Sequence, residues 1–302
     1  MNSYKNPIIL GADPFILMHE GKYYLYSTSA PTEGYLVFES DNLTHWVNKG
    51  FCLKKGDVKG EVIERNGEVQ GFWAPEVIYY KEKFYMVYTV DHHIGIAVSD
   101  SPLGPFVQEE KKWIVEETAI DGSFLVDGEN VYLYYRHIEK NRLVGVKMSD
   151  DLMSVDMSTF SILITPGEFA WEEAEKGVIG TEGPFVLKHN GKYYMTYSAN
   201  DFRSHEYAIG CAVSESPLGT YTKFVGNPIL KKSETVFGTG HHSFTTSKDG
   251  KTLICVYHCH YSAEKVLPRW VCIDKAEFVT DENGEDILVI HGPTDCEMPS
   301  LA

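Results

Sequence analysis

One pattern recurs five times along the chain: a polar residue at the head, a short apolar segment, a turn and a second apolar segment. The clearest copy runs from Ile179 to Ser198, where Glu182 precedes the apolar segment and Asn190-Gly191 lies at the turn. Alternating apolar residues around an Asn-Gly turn predict a β-hairpin, here with an acidic residue at its mouth. The heads of the five copies are Asp13, Glu76, Asp121, Glu182 and His241.

A second pattern follows most of these hairpins and adds strands to each copy. It consists of a further apolar segment and a Ser-Asp or Ser-Glu turn, as in the segment Gly210–Tyr221, and Trp270–Asp274 occupies the equivalent place in the last copy. Five units of about four strands predict an all-β fold, a five-bladed β-propeller with four-stranded antiparallel blades around a central axis. We expect residues 1–302 to form this single domain.

The segment Phe169–Lys176 is the only stretch with a helical pattern, and it lies between two of the repeats. A pair of β-sandwiches is the alternative architecture, but it does not explain why polar residues recur at the start of each hairpin.

Composition excludes several classes of partner. The 302 residues carry a formal net charge of −16, which disfavours nucleic acid and anionic membrane surfaces. No apolar run is long enough to span a membrane, and the segment 1–7 lacks the basic and apolar regions of a signal peptide. The sequence as it stands therefore predicts a cytoplasmic protein, or a secreted one if a leader has been removed.

The cysteines predict neither disulfides nor a metal site. All six are widely scattered, and only the segment Cys255–His260 brings potential zinc ligands together. Neighbouring side chains on a strand point to opposite faces, so His258, Cys259 and His260 are not expected to converge on one ion.

In a propeller, the innermost strands surround the axis, so the five heads should meet in one central pocket. A single acidic head could simply cap a strand end. Several carboxylates at matching positions instead indicate a site, because like charges that are brought together raise one another's pKa. Two carboxyl groups in different protonation states are what hydrolysis of a glycosidic bond requires.

The residues around the heads carry a family resemblance that covers the whole chain in order. The motifs are Ala12–Pro14, Trp73–Glu76, Ile120–Ser123, Thr181–Pro184 and Gly238–His241. Together they resemble glycoside hydrolase family 43. The resemblance implies a five-bladed propeller and an inverting glycosidase that acts mainly on α-L-arabinofuranosides or β-D-xylosides.

The resemblance also implies roles for three carboxylates. Asp13 would be the general base that activates water, and Glu182 the general acid that protonates the leaving oxygen. Asp121 would orient Glu182 and keep it protonated, as a nearby negative charge can do. An inverting pair lies roughly 6.5–9.5 Å apart, a separation that different blades can supply. Glu76 falls where the family often has Asp, and we assign it a structural role.

Three further residues are predicted to bind the substrate. Trp73 could stack on a sugar ring, although a tryptophan buried between blades is the alternative. His241 matches a family histidine near the axis that often ligates calcium or an ordered water, so the resemblance implies a site for a structural calcium ion or a water there, with the occupant left open, while His242 is assigned to structure. Arg269 matches a late arginine that reaches the sugar, with a surface salt bridge as the alternative. The chemistry itself needs no cofactor.

The expected substrate is an oligosaccharide from plant hemicellulose or pectin, from which the enzyme would release terminal α-L-arabinofuranose. A β-D-xylosidase of the same family is the main alternative. A related fructosidase would have Asn-Asp-Pro and Glu-Cys where this chain has Ala-Asp-Pro and Glu-Gly, and a non-catalytic sugar-binding propeller would tolerate the loss of a head carboxylate. The loops over 56–71 and 200–207 are expected to set the choice of sugar.

Overall fold

The computed structural model describes residues 3–58, 64–65, 68–69, 71–108, 112–174 and 178–301, which are mainly antiparallel β-sheet. Two short strands precede the first blade, β1 (Ser3–Tyr4) and β2 (Ile9–Leu10). The first blade contains β3 (Ala12–His19), β4 (Lys22–Thr28), β5 (Gly34–Ser40) and β6 (Val47–Lys54). A 3-10 turn over Lys55–Asp57 and a hairpin of β7 (Glu64–Arg65) and β8 (Glu68–Val69) follow.

The second and third blades follow the same order. The second contains β9 (Trp73–Tyr80), β10 (Lys83–Val90) and β11 (His93–Ser99), and within the described residues a single bridge between Val98 and Val107 stands in place of its fourth strand. The third contains β12 (Ala119–Asp127), β13 (Asn130–His137), β14 (Arg142–Met148) and β15 (Val155–Ile164).

A 3-10 turn over Ala170–Glu172 and a short hairpin of β16 (Glu173–Ala174) and β17 (Val178–Ile179) lead into the fourth blade. That blade contains β18 (Thr181–His189), β19 (Lys192–Ala199), β20 (Ala208–Ser214) and β21 (Thr222–Lys223). The fifth contains β22 (Gly240–Thr246), β23 (Leu253–Cys259), β24 (Trp270–Thr280) and β25 (Asp286–Ile290), and β26 (Met298–Pro299) comes last. The predicted five-bladed propeller is confirmed.

The ring closes where the N-terminal segment joins the fifth blade. β2 pairs with β24, with Ile9 opposite Val271, and β1 pairs with β26. The side chain of Asn6 fixes this segment, since its Oδ1 accepts the N–H of Ile273 and its Nδ2 donates to the carbonyl of the same residue. The residues before the first blade therefore complete the last one.

The apolar core lies between neighbouring blades. Between the first and second, Tyr26, Tyr35, Phe72 and Tyr88 are fully buried in one cluster. Burial of one large apolar side chain contributes about 1.5–3 kcal/mol, so a blade is stable only when its faces are covered by the next blades. The many tyrosines of the sequence serve this packing.

The predicted helix over Phe169–Lys176 is wrong for the part of it that the structure describes. One 3-10 turn is present at Ala170–Glu172, and 175–177 lie outside the described residues. The side chain of Glu172 is fully buried, where it accepts the N–H of Gly167 and contacts the Lys223 ammonium and the Tyr197 hydroxyl. These tertiary contacts override the helical pattern of the segment.

All six cysteines are free. Cys259 and Cys272 lie on adjacent strands with their sulfur atoms 3.5 Å apart, whereas His258 contacts Asp13 and His260 contacts the carbonyl of Phe202. Among the described residues, no helix is long and apolar enough to cross a membrane.

Candidate active site

The first strand of every blade is interrupted at its inner end by a β-bulge. In the first blade, Ala12 lies opposite Thr28 and Phe15 opposite Tyr26, so the partner strand has one residue where this strand has two. The same shift occurs in the other four blades. One residue in each bulge has positive φ: Asp13 (51°), Ala74 (45°), Asp121 (60°), Gly183 (54°) and His241 (43°). Four of these residues are not glycine, so their positive φ strains the backbone. Backbone strain of this kind is concentrated at functional sites.

The bulges correct the alignment made from the sequence. Asp13, Asp121 and His241 occupy equivalent positions, as predicted. Glu182, however, lies one position before the residue with positive φ, and Glu76 lies two positions after it. The repeats were aligned on acidic side chains, whereas the backbone repeats the bulge itself.

Hydrogen bonds between adjacent blades hold four of these strained residues. The N–H of Asp13 is accepted by His258 at 3.2 Å, and the N–H of Asp121 by the Thr89 hydroxyl at 3.1 Å. The corresponding N–H groups of Ala74 and His241 are accepted by the hydroxyls of Thr28 and Ser198. In each case the acceptor is at the end of the second strand of the preceding blade.

The fourth blade differs from the other four at this position, and the difference determines which side chains contact Glu182. The equivalent position on the preceding blade is Arg136, whose guanidinium cannot accept a hydrogen bond. The N–H of Gly183 is accepted instead by Asp121 Oδ2 at 3.0 Å. Arg136 is left to donate to Glu182 Oε2 at 2.7 Å, and the Tyr207 hydroxyl donates to Oε1 at 2.8 Å.

The Asp13 carboxylate lies close to one guanidinium and two imidazoles. Its Oδ1 is 2.9 Å from Arg269 Nη1, 3.2 Å from His258 Nδ1 and 3.4 Å from His241 Nδ1. Burial by itself would raise the pKa of Asp13, but the Arg269 guanidinium, followed by His241 and His258, holds it well below the usual value. The Asp13 carboxyl is therefore ionised across the neutral range.

Asp121 has a different electrostatic environment. Burial raises its pKa to about 6; His241 opposes this shift, while the negative charges of Glu182 and Asp13 add to it. The Asp121 carboxyl contacts the backbone next to Glu182 through Gly183. It can therefore position Glu182 through the chain, and the role that the resemblance implies for Asp121 stays a prediction.

Glu76 connects two blades and lies below the ring of strained residues. Its Oε1 accepts the N–H of Phe124 on the third blade at 2.7 Å. Burial raises its pKa to about 8, so the carboxyl is mainly protonated at neutral pH. These contacts are those of a structural residue.

A small cavity of about 20 Å³ lies on the axis between the blades, with Asp13, Glu76, Asp121, His241 and His242 in its wall. It has room for one water-sized occupant. Both nitrogens of the buried His242 lack a hydrogen-bond partner within the part of the chain that the structure describes, and burial lowers the pKa of its imidazole to about 3.

The calcium ion that the resemblance implies would lie at this cavity, near His241. Among the described residues, no group of three His, Cys, Asp or Glu side chains is arranged to hold a metal. His241 faces the Asp13 carboxylate, which is already paired with Arg269. Calcium prefers a shell of oxygen ligands, which these side chains do not form. The calcium ion near His241 stays a prediction.

Trp73 and Arg269 line one groove of about 770 Å³ that adjoins Asp13. Trp73 is half-buried and packs edge-on against His92, so it is not enclosed between blades. The side chain of Arg269 is only 11% exposed and pairs with Asp13, which excludes a simple surface salt bridge. The Phe202 ring lies 4.9 Å from the Arg269 guanidinium carbon.

Residues 4–283 match the sequence profile of the glycosyl hydrolases family 43. The chain belongs to this family. Two relatives of family 43 type span nearly the same length. One is an extracellular exo-alpha-(1->5)-L-arabinofuranosidase of Streptomyces chartreusis, 25% identical, with 87% of this chain and 84% of that protein covered. The other is a xylosidase/arabinosidase of Bacteroides ovatus, 26% identical, with 93% and 95% covered.

A solved structure shows the same architecture as this family 43 protein. It is described as an endo-1,4-beta-xylanase from Bacteroides thetaiotaomicron VPI-5482, is 35% identical, and superposes with a TM-score of 0.85. The match covers 97% of this chain and 98% of that one. The names of the three proteins differ in sugar, so membership of family 43 makes this chain a glycoside hydrolase without fixing the sugar.

Sequence reasoning missed four residues of this family 43 site: Arg136, Phe202, Tyr207 and His258, the last of which was considered only as a zinc ligand. Arg136 and His258 could have been found by extending the repeat alignment to the end of the second strand, where the other repeats have Thr28, Thr89 and Ser198. Phe202 and Tyr207 lie in the loop 200–207, which was expected to set the choice of sugar, but the loop has no repeated pattern and no sequence signal pointed to the individual contacts of these two residues.

Proposed function

We propose that this family 43 glycoside hydrolase is an inverting, exo-acting α-L-arabinofuranosidase in which Asp13 is the general base and Glu182 the general acid. The observation that carries the proposal is the placement of these two carboxyl groups. They lie on the first and fourth blades, which are not adjacent in the ring, and each has its own partners: Arg269 pairs with Asp13, and Arg136 and Tyr207 donate to Glu182. An inverting glycosidase needs two carboxyl groups with separate tasks on opposite sides of the sugar.

In the reaction, Asp13 accepts a proton from a water molecule, whose oxygen bonds to the anomeric carbon. Glu182 gives its proton to the glycosidic oxygen as the bond between that oxygen and the anomeric carbon breaks. The new hydroxyl group lies on the face opposite the leaving group, so the configuration is inverted. Arg269 remains charged throughout and stabilises Asp13 until it is protonated.

The two partners of Glu182 restrict how the proton is delivered. Each carboxyl oxygen already accepts one hydrogen bond, so the proton that Glu182 delivers must be carried on a remaining lone pair of Oε1 or Oε2. Burial and the neighbouring Glu182 raise the pKa of Tyr207 well above its usual value, so its hydroxyl keeps its proton. Tyr207 therefore orients Glu182 but does not take up the proton.

The choice of sugar rests on the relatives. The Streptomyces chartreusis protein is named for exo-acting removal of arabinofuranose, which supports release of terminal L-arabinofuranose from fragments of plant hemicellulose or pectin. The names of the Bacteroides proteins favour a second candidate that acts on xylose units. Both candidates use the same two carboxyl groups.

Incubation of the protein with α-linked arabino-oligosaccharides and with xylo-oligosaccharides, followed by chromatography, distinguishes the candidates. We expect arabinose monomer as the first product, with slower release of xylose, and no product with an Asp13→Asn control. Faster release of xylose would favour the second candidate, and early fragments of intermediate length would exclude exo action. Binding of oligosaccharide without release of any sugar would instead make the protein a sugar-binding propeller.

A further inference from the structure

The groove that adjoins Asp13 extends well beyond the space that one pentose ring fills. It has a volume of about 770 Å³, within the range of about 300–1,000 Å³ found for small-molecule sites. Beyond Trp73 and Arg269, its wall includes Leu10, Leu36 and Leu267. Leu10 and Leu267 are 42% and 55% exposed, and exposed apolar side chains around a concave surface indicate a ligand-binding groove.

The groove is centred on the first blade, which is not adjacent to the blade of Glu182. Most of its wall comes from the first blade and the N-terminal segment paired with the fifth; Trp73 belongs to the second blade, 267–269 to the fifth, and Phe202 to a loop of the fourth. Glu182 belongs to the fourth blade, which in a ring of five is adjacent to neither the first nor the second. The leaving group must lie at the acid Glu182, so the groove lies beside the sugar that is released.

We propose that this groove is a subsite for an aromatic acyl group esterified to the released arabinofuranose, so that the enzyme accepts an acylated terminal sugar. The inference rests on the proposed function, because it places the arabinofuranose between Asp13 and Glu182. Glycosidic cleavage proceeds as for the unsubstituted sugar, the ester bond stays intact, and the product is the acylated pentose.

The chemistry of the wall favours an aromatic ester over a further sugar unit. A second sugar would bring several hydroxyl groups against leucine side chains, and buried hydroxyls without partners are costly. An aromatic ring has no hydroxyl groups to desolvate, so its contact with Leu36 and Phe38 costs little free energy. The ester carbonyl requires only one hydrogen-bond donor. Arg269 lies in the groove wall, and its buried Nε has no hydrogen-bond partner among the described residues, so a shift of this side chain toward the groove would supply that donor.

The test is calorimetric titration of the purified full chain with two product analogues, 5-O-benzoyl-L-arabinofuranose and 5-O-acetyl-L-arabinofuranose. They share the sugar and the ester, so the comparison isolates the aromatic ring. We expect the benzoyl ester to bind at least ~10-fold more tightly, as burial of one ring in an apolar groove predicts. Equal affinity, or tighter binding of the acetyl ester, would overturn the proposal.

Variants locate the effect. Leu36→Asn and Leu10→Asn place a polar group in the groove at two independent positions, and each should reduce the benzoyl preference to about threefold or less. Ile162→Asn is the matched control, since Ile162 is an exposed apolar strand residue on the third blade. The melting curves of both groove variants confirm that they are folded. If both folded variants still prefer the benzoyl ester, the aromatic ring binds elsewhere and the proposal is wrong.

A hydrolysis series separates this proposal from its nearest competitor. Alkyl α-L-arabinofuranosides of increasing chain length have leaving groups of nearly constant acidity, so their kcat/KM values report contacts of the leaving group. We expect little dependence on chain length. A steep rise with chain length, together with no benzoyl preference, would assign the groove to the leaving group. The calorimetric titration does not require turnover. Absence of hydrolysis would therefore exclude the proposed function, while the comparison of the two esters would still test the subsite.

Discussion

Arg269 Nη1 lies 2.9 Å from Asp13 Oδ1, although the two residues are 256 positions apart in the sequence. The contact joins the loop before the third strand of the last blade to the start of the first blade. It exists because β2 pairs with β24, which brings the segment before the first blade against the residues that follow Arg269. Closure of the propeller and charge control of the proposed base therefore depend on the same strands.

The first prediction concerns the acid limb of the pH profile. Asp13 has a lowered pKa, so the proposed base stays ionised until the pH falls well below neutral. In Arg269→Met the main cation is lost while burial remains, so the pKa of Asp13 should rise and the acid limb of kcat/KM should move up by about 1 pH unit or more. Arg269→Lys retains the charge and should show a smaller shift. Identical acid limbs in the wild type and the Met variant would show that Arg269 does not control the base.

A second prediction tests Glu182 through the leaving group. Glu182→Gln removes the proton donor, so hydrolysis of alkyl glycosides should fall by about 10²–10⁴-fold. Aryl glycosides with acidic phenols need little protonation and should be much less affected. The comparison uses kcat/KM for both substrate types, and equal losses would remove Glu182 from the role of acid.

The fold could be predicted because its signal repeats. Each hairpin carries its own alternation and turn, so five copies support one another, and Asn190 and Gly191 do adopt the positive φ of the predicted turn. The heads were found for the same reason. The exact equivalence of the five heads was not predicted. The acidic residues Glu76 and Glu182 were aligned with the other heads, although neither occupies the position of the bulge that has positive φ.

The partners of the candidate acid could not be predicted in the same way. Arg136 acts on Glu182 from another blade, and its role follows from its inability to accept the N–H of Gly183. Tyr207 reaches Glu182 from an irregular loop. Such contacts depend on how the blades pack against one another, and they produce no repeated pattern in the sequence.

A third prediction concerns stability. Burial raises the pKa of Glu76 to about 8 from its ordinary value of 4.5. The unfolded chain therefore releases this proton at lower pH than the folded one, so the contribution of Glu76 to stability is full below about pH 4.5 and is lost as the pH rises to about 8. Glu76→Gln keeps the acceptor for Phe124 but cannot ionise.

Thermal melting of the wild type and Glu76→Gln at several pH values measures this effect. The melting temperature of the variant relative to that of the wild type should increase steadily from pH 5 to pH 8. A constant difference over that range would mean that Glu76 does not change its ionisation between the folded and unfolded states.

The central claim is that Asp13 and Glu182 act on opposite faces of one sugar. Proton NMR of the first sugar released from an aryl α-L-arabinofuranoside tests it most directly, with spectra recorded before mutarotation equilibrates the anomers. Direct attack by a water activated at Asp13 predicts that the β-anomer of L-arabinofuranose appears first. Initial release of the α-anomer would show retention through a covalent intermediate and would contradict the assignment of both residues.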